Sequence, residues 1–280
     1  DRRPRSVCHL AARQYPFRAM IRHTKGLSMR QNERSYNGKH RFFCSTTMET
    51  PPKTQTKKSV ILDFNGTLFF DTDKNNASWH EVLNTVCSRK ISMEEMSRYN
   101  IHGRANKAIL EHFMERALSD SEAHRLSERK EAIYRALCLE DREHFHLAEG
   151  VPAFLDHLKK ERIPCTIATA AGKSNLDFYI EHFQLLRWFD ADKIVYNDGT
   201  VRGKPEPDLY LRALARLNAD GGSCLAVEDS PLGTLSARRA GIAMVFAVSS
   251  SLGVSAFADT ADAVIADFTS PALYEWAAQP

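Results

Sequence analysis

The sequence predicts an α/β protein with a Rossmann-like parallel sheet, helices on both faces of that sheet and an inserted all-helical cap domain. Short apolar runs alternate with helix-like segments from residue 151 to residue 265, a pattern typical of a parallel sheet covered by helices. A further apolar run at residues 59–64 is separated from them by residues 72–148, which show only helical periodicity. The first run joins the same sheet if that intervening stretch is an insertion.

The first predicted strand, residues 59–64, is a short apolar run that reaches a carboxylate at Asp63 and then the turn pair Asn65-Gly66. Apolar residues then recur at helical spacing in four segments, which we predict to be helices: residues 76–89, 92–99, 104–118 and 121–139. We therefore assign residues 58–71 and 149–280 to the Rossmann-like catalytic core and residues 72–148 to the helical cap.

Helices and strands alternate beyond residue 150. Pro152 falls in the first turn of a predicted helix, where the missing N–H of proline costs little. The predicted helices are residues 151–161, 174–183, 207–217 and 231–240, and the predicted strands are residues 164–169, 194–196, 223–228, 243–248 and 263–265.

Residues 1–57 form a basic leader with thirteen Lys and Arg residues and three Asp and Glu residues, whereas the net charge of the whole chain is only +3. The remainder is mildly acidic, so its charge gives no support for nucleic-acid binding. No run approaches the roughly 18 apolar residues of a membrane span. The leader composition predicts a transit peptide, disordered in itself, for a plastid or mitochondrion. If Met48 is the initiator instead, we expect a cytoplasmic protein. No pattern indicates an oligomeric state.

Reactive or anion-binding residues follow several predicted strands. They are Asp63, Thr169, the loop residue Lys204, and Glu228 with Asp229. Ligands of open parallel sheets bind beyond the carboxyl ends of the strands, where these residues converge. A single polar residue at a strand end is ordinary, but a whole set at one edge predicts a functional site.

The same residues resemble the four motifs of the haloacid dehalogenase-like hydrolases. The segment from Asp63 to Thr67 resembles the first motif, which is normally Asp-x-Asp-Gly-Thr. The later motifs match Thr169, Lys204 and Glu228-Asp229 in the same order. The resemblance covers residues 58–270, and the helical insertion is similar to the caps of phosphoglycolate phosphatase and beta-phosphoglucomutase.

This resemblance implies a Mg²⁺-dependent phosphatase that acts on a small phosphorylated metabolite through an aspartyl-phosphate on Asp63. It implies that Thr169 donates its hydroxyl and a backbone N–H to the phosphoryl oxygens, and that Lys204 neutralises Asp63 and the transferring group. Mg²⁺ prefers oxygen ligands. The implied ligands are Asp63, the backbone carbonyl of Asn65, Asp229, and Glu228 directly or through water.

Several further residues are candidate substrate contacts. Gly66 allows close approach of the backbone. Arg104 begins a cap helix, where it can bind an anionic group of the substrate or pair with a surface glutamate. Lys173 and Asn175 lie at a helix start that favours anions. The complete candidate set is Gly66, Thr67, Ala170, Arg104, Lys173 and Asn175.

Asn65 departs from the family pattern, because phosphatases and phosphomutases carry at this position the Asp that acts as general acid and then base. An amide cannot relay a proton, and such help contributes about 10²–10⁴-fold. We therefore expect slow turnover, least impaired for acyl or aryl phosphates. Asp71, Asp73 and Glu149 are candidate substitutes. The alternatives left open are a weakly active or inactive phospho-ligand-binding or regulatory protein, a phosphotransferase and a phosphomutase.

Overall fold

A parallel sheet forms the centre of the computed structural model, which describes residues 57–99, 101 and 104–279. Within these residues the sheet has five strands in the order β2-β1-β3-β4-β5, and every neighbouring pair is parallel. The strands are β1 (Ser59–Leu62), β2 (Cys165–Ile167), β3 (Cys224–Glu228), β4 (Met244–Val248) and β5 (Ala263–Ile265). The Rossmann-like fold class predicted from the sequence is confirmed.

The helices of the described residues fall into two groups. Those between β1 and β2 are α1 (Thr72–Val86), α2 (Met93–Tyr99), α3 (Asn106–Met114), α4 (Asp120–Glu140) and α5 (Val151–Lys160). Those after β2 are α6 (Lys173–Phe183), α7 (Asp208–Leu217), α8 (Pro231–Arg239) and α9 (Pro271–Ala278). Helices and strands alternate after α5, as the sequence pattern predicts.

Two apolar layers cover the two faces of the sheet. Successive side chains of a strand point to opposite faces. Accordingly Val60 and Leu62 pack in one layer with α5, α6 and α9, whereas Ile61 packs in the other layer with α7 and α8. All four residues of β1 are buried. A strand covered on both faces is predominantly apolar, which explains the continuous apolar run from Val60 to Leu62 in β1.

The first four helices have an apolar cluster of their own. Its members include Trp79, Leu83, Ile109, Phe113 and Leu126, contributed by α1, α3 and α4. The Ser119 side chain accepts a hydrogen bond from the backbone N–H of Glu122, so α4 begins with a capped turn. The helical cap inserted between β1 and the second strand is therefore present, while the exact domain boundaries given above stay predictions.

The structure differs from the sequence prediction in a few elements. The prediction of a strand at residues 194–196 is wrong, because Val195 forms only an isolated parallel bridge to Ala168. Helix α9 was not predicted, since its eight residues are too few to show a clear period. The leader falls almost entirely outside the described residues. In the described part of the chain, no helix combines the length and apolarity that a membrane crossing needs.

Candidate active site

A cluster of carboxylates lies where the central strands end. Strands β1 and β3 are neighbours, and the backbone N–H of Asp63 donates to the carbonyl of Val227 at 3.0 Å. This pairing places Asp63 beside Glu228 and Asp229, and one oxygen from each of the three carboxylates lies within 4.8 Å of the others. The predicted convergence of these residues at one edge of the sheet is thus present in the structure.

Lys204 supplies the positive charge of this cluster. Its Nζ lies 2.7 Å from Oδ1 of Asp63 and 2.5 Å from Oε1 of Glu228, and all three side chains are buried. The hydroxyl of Tyr210 donates to the same Glu228 oxygen at 2.6 Å. Glu228 therefore holds Lys204 in place for Asp63, in addition to contributing to the acidic cluster.

The electrostatics of the cluster favour a bound cation. Burial and then repulsion from Glu228 raise the pKa of Asp63 to about 7. Burial and the charges of Asp63 and Glu228 raise the pKa of Asp229 well above its usual range. Burial alone lowers the pKa of Lys204, but the carboxylates of Asp63 and Glu228 raise it above its ordinary value. Three carboxylates facing one ammonium offer an all-oxygen donor set with surplus negative charge, which fits Mg²⁺.

Two glycines let the backbone approach these carboxylates. A Cβ atom on Gly66 would lie 2.0 Å from Oδ2 of Asp229, and the φ angle of Gly66 is +74°. A Cβ atom on Gly233 would lie 1.9 Å from Oε2 of Glu228. Any larger residue at either position must displace a carboxylate of the cluster, so the glycines are part of the site geometry.

A cavity of about 110 Å³ opens in front of Asp63. Its wall on the sheet side includes Asn65, Thr169, Ala170 and Lys204. The hydroxyl of Thr169 accepts a hydrogen bond from the backbone N–H of Ala171 at 3.1 Å. The backbone N–H of Thr169 donates to the carbonyl of Val195 at 3.0 Å. The expected donation from that N–H to a phosphoryl group is wrong, because the bridge to Val195 already uses it.

The other predicted substrate contacts divide between the cavity and its surroundings. The cavity is lined by Gly66, Arg104 and Asn175. Thr67 is fully buried and its hydroxyl has no partner among the described residues, so it lies behind the cavity wall. Lys173 is exposed in an ion pair with Asp177 and lines a neighbouring groove instead. The roles assigned to Thr67 and Lys173 stay predictions that this geometry does not support.

The side chain of Asn65 belongs to a buried polar network. Its Nδ2 donates to Oδ2 of Asp71 at 2.6 Å and to the hydroxyl of Tyr179 at 2.7 Å. The hydroxyl of Tyr134 donates to the same oxygen of Asp71. Of the three candidate substitutes for the missing acid, only Asp71 lines the cavity. Burial raises the pKa of Asp71 above its ordinary value.

A second polar cluster forms the cap side of the cavity. Lys130 donates to Oδ1 of Asn75 at 2.6 Å and to Glu131 at 3.1 Å. The side-chain amides of Asn106 and Asn175 also donate to Glu131, at 2.9 and 2.7 Å. Burial alone would raise the pKa of Glu131. The charge of Lys130 and the hydrogen bonds from these amides outweigh burial and hold this pKa below its usual range. The Lys130–Glu131 pair was not predicted from the sequence.

The sequence does contain a signal for the cap side of the cavity, called the cap wall below. Lys130, Tyr134 and Cys138 recur every four residues along α4 and are all buried. Residues four apart lie on one helix face. A lysine within such a face indicates a buried, partnered ammonium, yet the period alone cannot identify its partners.

Comparison with known proteins identifies the family of this site. A family model described as haloacid dehalogenase-like hydrolase matches residues 60–247, which include every residue of the acidic cluster. A crystal structure of an HAD hydrolase, family IA, variant 3, from Entamoeba histolytica superimposes with a TM-score of 0.71 and 32% identity. That alignment covers 79% of this chain and 100% of the other.

Two relatives of named activity differ in how much of their length is matched. Hexitol phosphatase A of Escherichia coli is 30% identical over 186 residues, which are 66% of this chain and 80% of that protein. The bifunctional riboflavin kinase/FMN phosphatase of Arabidopsis thaliana is 31% identical over 132 residues, 47% of this chain. The chain spans only 34% of the length of that plant protein.

We predict that Gly66→Ala weakens divalent-cation binding and abolishes most turnover, because its new methyl group displaces Asp229. Gly199→Ala is the matched control: its φ is +82°, but no atom lies within 4 Å of the added Cβ. Both variants carry left-handed strain of about 1–2 kcal/mol. Mg²⁺ titrations and thermal unfolding separate the two effects. Equal Mg²⁺ affinities of the two variants would contradict the expected displacement of the Asp229 carboxylate by the methyl group at position 66.

Proposed function

The chain belongs to the haloacid dehalogenase-like hydrolases, and we propose that it is a Mg²⁺-dependent phosphatase that cleaves a small phosphorylated metabolite through an aspartyl-phosphate on Asp63. The observation that carries this proposal is the buried contact between Asp63 and Lys204 beside two further carboxylates. A nucleophilic carboxylate splits the difficult hydrolysis of a phosphate ester into two easier steps.

In the first step, an oxygen of Asp63 attacks the phosphorus atom while the ester bond to the leaving oxygen breaks. Lys204 neutralises the charge of Asp63 and of the transferring group, and the Thr169 hydroxyl donates to a phosphoryl oxygen. A Mg²⁺ ion would be held by Asp63, Asp229 and the backbone carbonyl of Asn65, with support from Glu228, and would supply charge neutralisation for the phosphoryl oxygens. Stabilisation of this kind dominates phosphoryl transfer.

In the second step, water attacks the phosphorus while the bond between phosphorus and the Asp63 oxygen breaks. The Asp63 carboxylate is regenerated, and inorganic phosphate leaves with both protons of the water. Asn65 can accept a hydrogen bond from that water, but its amide cannot take the proton. We therefore propose slow turnover, limited by leaving-group protonation for alkyl esters and by hydrolysis of the aspartyl-phosphate for activated esters.

The cap side of the cavity supports a small substrate that carries hydroxyl groups. Asn75 and Asn106 line the cavity and each uses one end of its amide for the Lys130–Glu131 pair. Within the described residues, the other end of each amide has no protein partner. An amide donor beside an amide acceptor suits alcohol groups, and one relative is named as a hexitol phosphatase. We propose a phosphorylated polyol or sugar as the substrate class.

A second candidate function is a weakly active or inactive protein that binds a phosphorylated ligand without rapid turnover. Asn65 favours this alternative, because it removes the proton relay while leaving the carboxylate cluster in place. The buried Asp63–Lys204 contact favours the enzyme, since a protein that only binds phosphate has no need of a nucleophile at this position.

We predict that the purified chain releases phosphate from an aryl phosphate only with Mg²⁺, and that Asp63→Asn abolishes this release. Asp73→Asn is the control, because Asp73 is exposed and, among the described residues, forms an ion pair with Lys74 alone. Release should be retained in that variant. Phosphate release that persists in Asp63→Asn contradicts the nucleophile assignment. Absence of release from all phosphate esters, with phosphate binding retained, supports the binding protein instead.

For the substrate class, we predict that Asn75→Ala lowers kcat/KM for a hexitol phosphate by about 5-fold, as expected for one lost hydrogen bond worth about 1 kcal/mol. Turnover of an aryl phosphate, which lacks the hydroxyls, should change little. Asn76→Ala is the matched control, because the neighbouring amide lies on the same helix but not at the cavity. Equal losses on both substrates would contradict recognition of hydroxyl groups by Asn75.

A further inference from the structure

The hydrogen bonds around Asn65 run in one direction. One hydrogen of Nδ2 goes to Asp71, and the other goes to the hydroxyl of Tyr179 at 2.7 Å, with the hydroxyl of Tyr134 farther away at 3.2 Å. Tyr179 donates to the hydroxyl of Tyr134 at 3.2 Å, and Tyr134 donates to Asp71. The backbone N–H of Gly66 donates to the second oxygen of Asp71 at 2.9 Å. The chain therefore starts at the amide of residue 65 and ends at the carboxylate of residue 71.

This direction fixes the orientation of the Asn65 amide. A flipped amide would place its oxygen against Oδ2 of Asp71, so two acceptors would face each other at 2.6 Å. With Nδ2 held by the network, Oδ1 is left for the cavity. No donor among the described residues reaches Oδ1, and this atom is not among the buried unpaired atoms. Asn65 thus presents a fixed acceptor beside the nucleophile.

The network joins the core to the cap. Asn65 and Asp71 flank the turn that follows β1, Tyr179 belongs to α6, and Tyr134 belongs to the cap helix α4. Tyr134 and Tyr179 are both buried, and the Tyr179 ring stacks on Phe64 with ring centroids 4.2 Å apart. The amide orientation therefore depends on residues of both parts of the chain.

We propose that Asn65 and Asp71 are a coupled amide–acid pair, in which Asp71 is a positioning residue that acts through Asn65. This inference rests on the proposed phosphatase function. It has a specific consequence: Asn65→Asp alone does not restore a proton relay, because the new carboxylate faces that of Asp71. A relay requires the exchange at both positions.

The double exchange Asn65→Asp/Asp71→Asn satisfies the network by reversing it. The new amide at position 71 donates to Tyr134, Tyr134 donates to Tyr179, and Tyr179 donates to the new carboxylate at position 65. Gly66 still donates to the amide oxygen at position 71. Each single exchange disturbs the site: two acceptors meet in Asn65→Asp. In Asp71→Asn the network is satisfied only when the amide of Asn65 flips, which turns its N–H rather than its oxygen toward the cavity.

The test compares four proteins, which form a double-mutant cycle: the unmodified chain, Asn65→Asp, Asp71→Asn and the double variant. Their rates of phosphate release from an aryl and an alkyl phosphate are measured with Mg²⁺, together with their unfolding temperatures. We expect Asp71→Asn to turn over at least 10-fold more slowly than the unmodified chain, and Asn65→Asp to be no faster than it. The double variant should hydrolyse the alkyl phosphate at least 10-fold faster, since acid–base help contributes about 10²–10⁴-fold. The variant Asn65→Asp should unfold at lower temperature than the double variant, because only its network contains two facing acceptors.

Leaving-group dependence distinguishes positioning from a purely structural role. We expect the preference for aryl over alkyl phosphate to be strong in the unmodified chain and weak in the double variant. An identical preference in both proteins would overturn the proposal, even if the unfolding temperatures differ. A rate for Asn65→Asp equal to that of the double variant, with Asp71→Asn unchanged, would overturn it as well.

Two further arms keep the test decisive. If no protein of the cycle hydrolyses any ester, the phosphatase function fails, and the unfolding temperatures alone decide the pairing: recovery in the double variant supports it, and additive losses overturn it. If a single variant does not fold, Tyr179→Phe removes one link and keeps the ring. The expected result is slower turnover of both esters, because the amide of Asn65 is no longer held in one orientation, and unchanged kinetics would overturn the proposal.

Discussion

Lys204 is the buried positive charge on which the arrangement of the active site depends. It contacts Asp63 and Glu228 at 2.7 and 2.5 Å, so two carboxylates that would repel each other are held together at the ends of β1 and β3. Buried charges are tolerated only when they are paired. The pairing of β1 with β3, the hydroxyl of Tyr210 and the space left by Gly233 all maintain this contact. The third carboxylate, Asp229, leaves the cluster with the surplus negative charge that a divalent cation can offset.

The sheet and the cap make different contributions to the site. The sheet edge holds the groups that act on phosphate, which any substrate of this chemistry shares. The cap contributes the Lys130–Glu131 pair and the amides around it, which line the opposite side of the cavity and which we propose as the contacts to the remainder of the substrate. Because Glu131 also binds Asn175 on α6, this recognition surface joins cap to core. Under the proposed function, the hydrogen bonds that would orient the substrate are therefore also hydrogen bonds that join the cap to the core.

Much of the core and its chemistry could be predicted from the sequence, because buried strands are continuous apolar runs and parallel strands end at one edge. Asp63, Lys204 and Asp229 were found in this way. The cap wall was not, since helical period gives a buried face but not the partner of a residue such as Lys130. The expectation of a free backbone N–H at Thr169 was wrong for a related reason. This N–H donates to the carbonyl of Val195, which lies in a short segment whose pairing the local sequence pattern could not specify. Contacts between separate elements are the information that the local sequence lacks.

Asn65 shows why a single departure from a family pattern cannot be evaluated by itself. Taken alone, an amide in place of a carboxylate is the loss of a proton relay. In the structure the amide is also the donor that begins a closed hydrogen-bond chain, and Asp71 is the acceptor that ends it. Buried polar networks are stable only when every member is satisfied. A change at residue 65 therefore alters the requirement at residue 71, and the two positions constitute one functional unit, set partly by the cap through Tyr134.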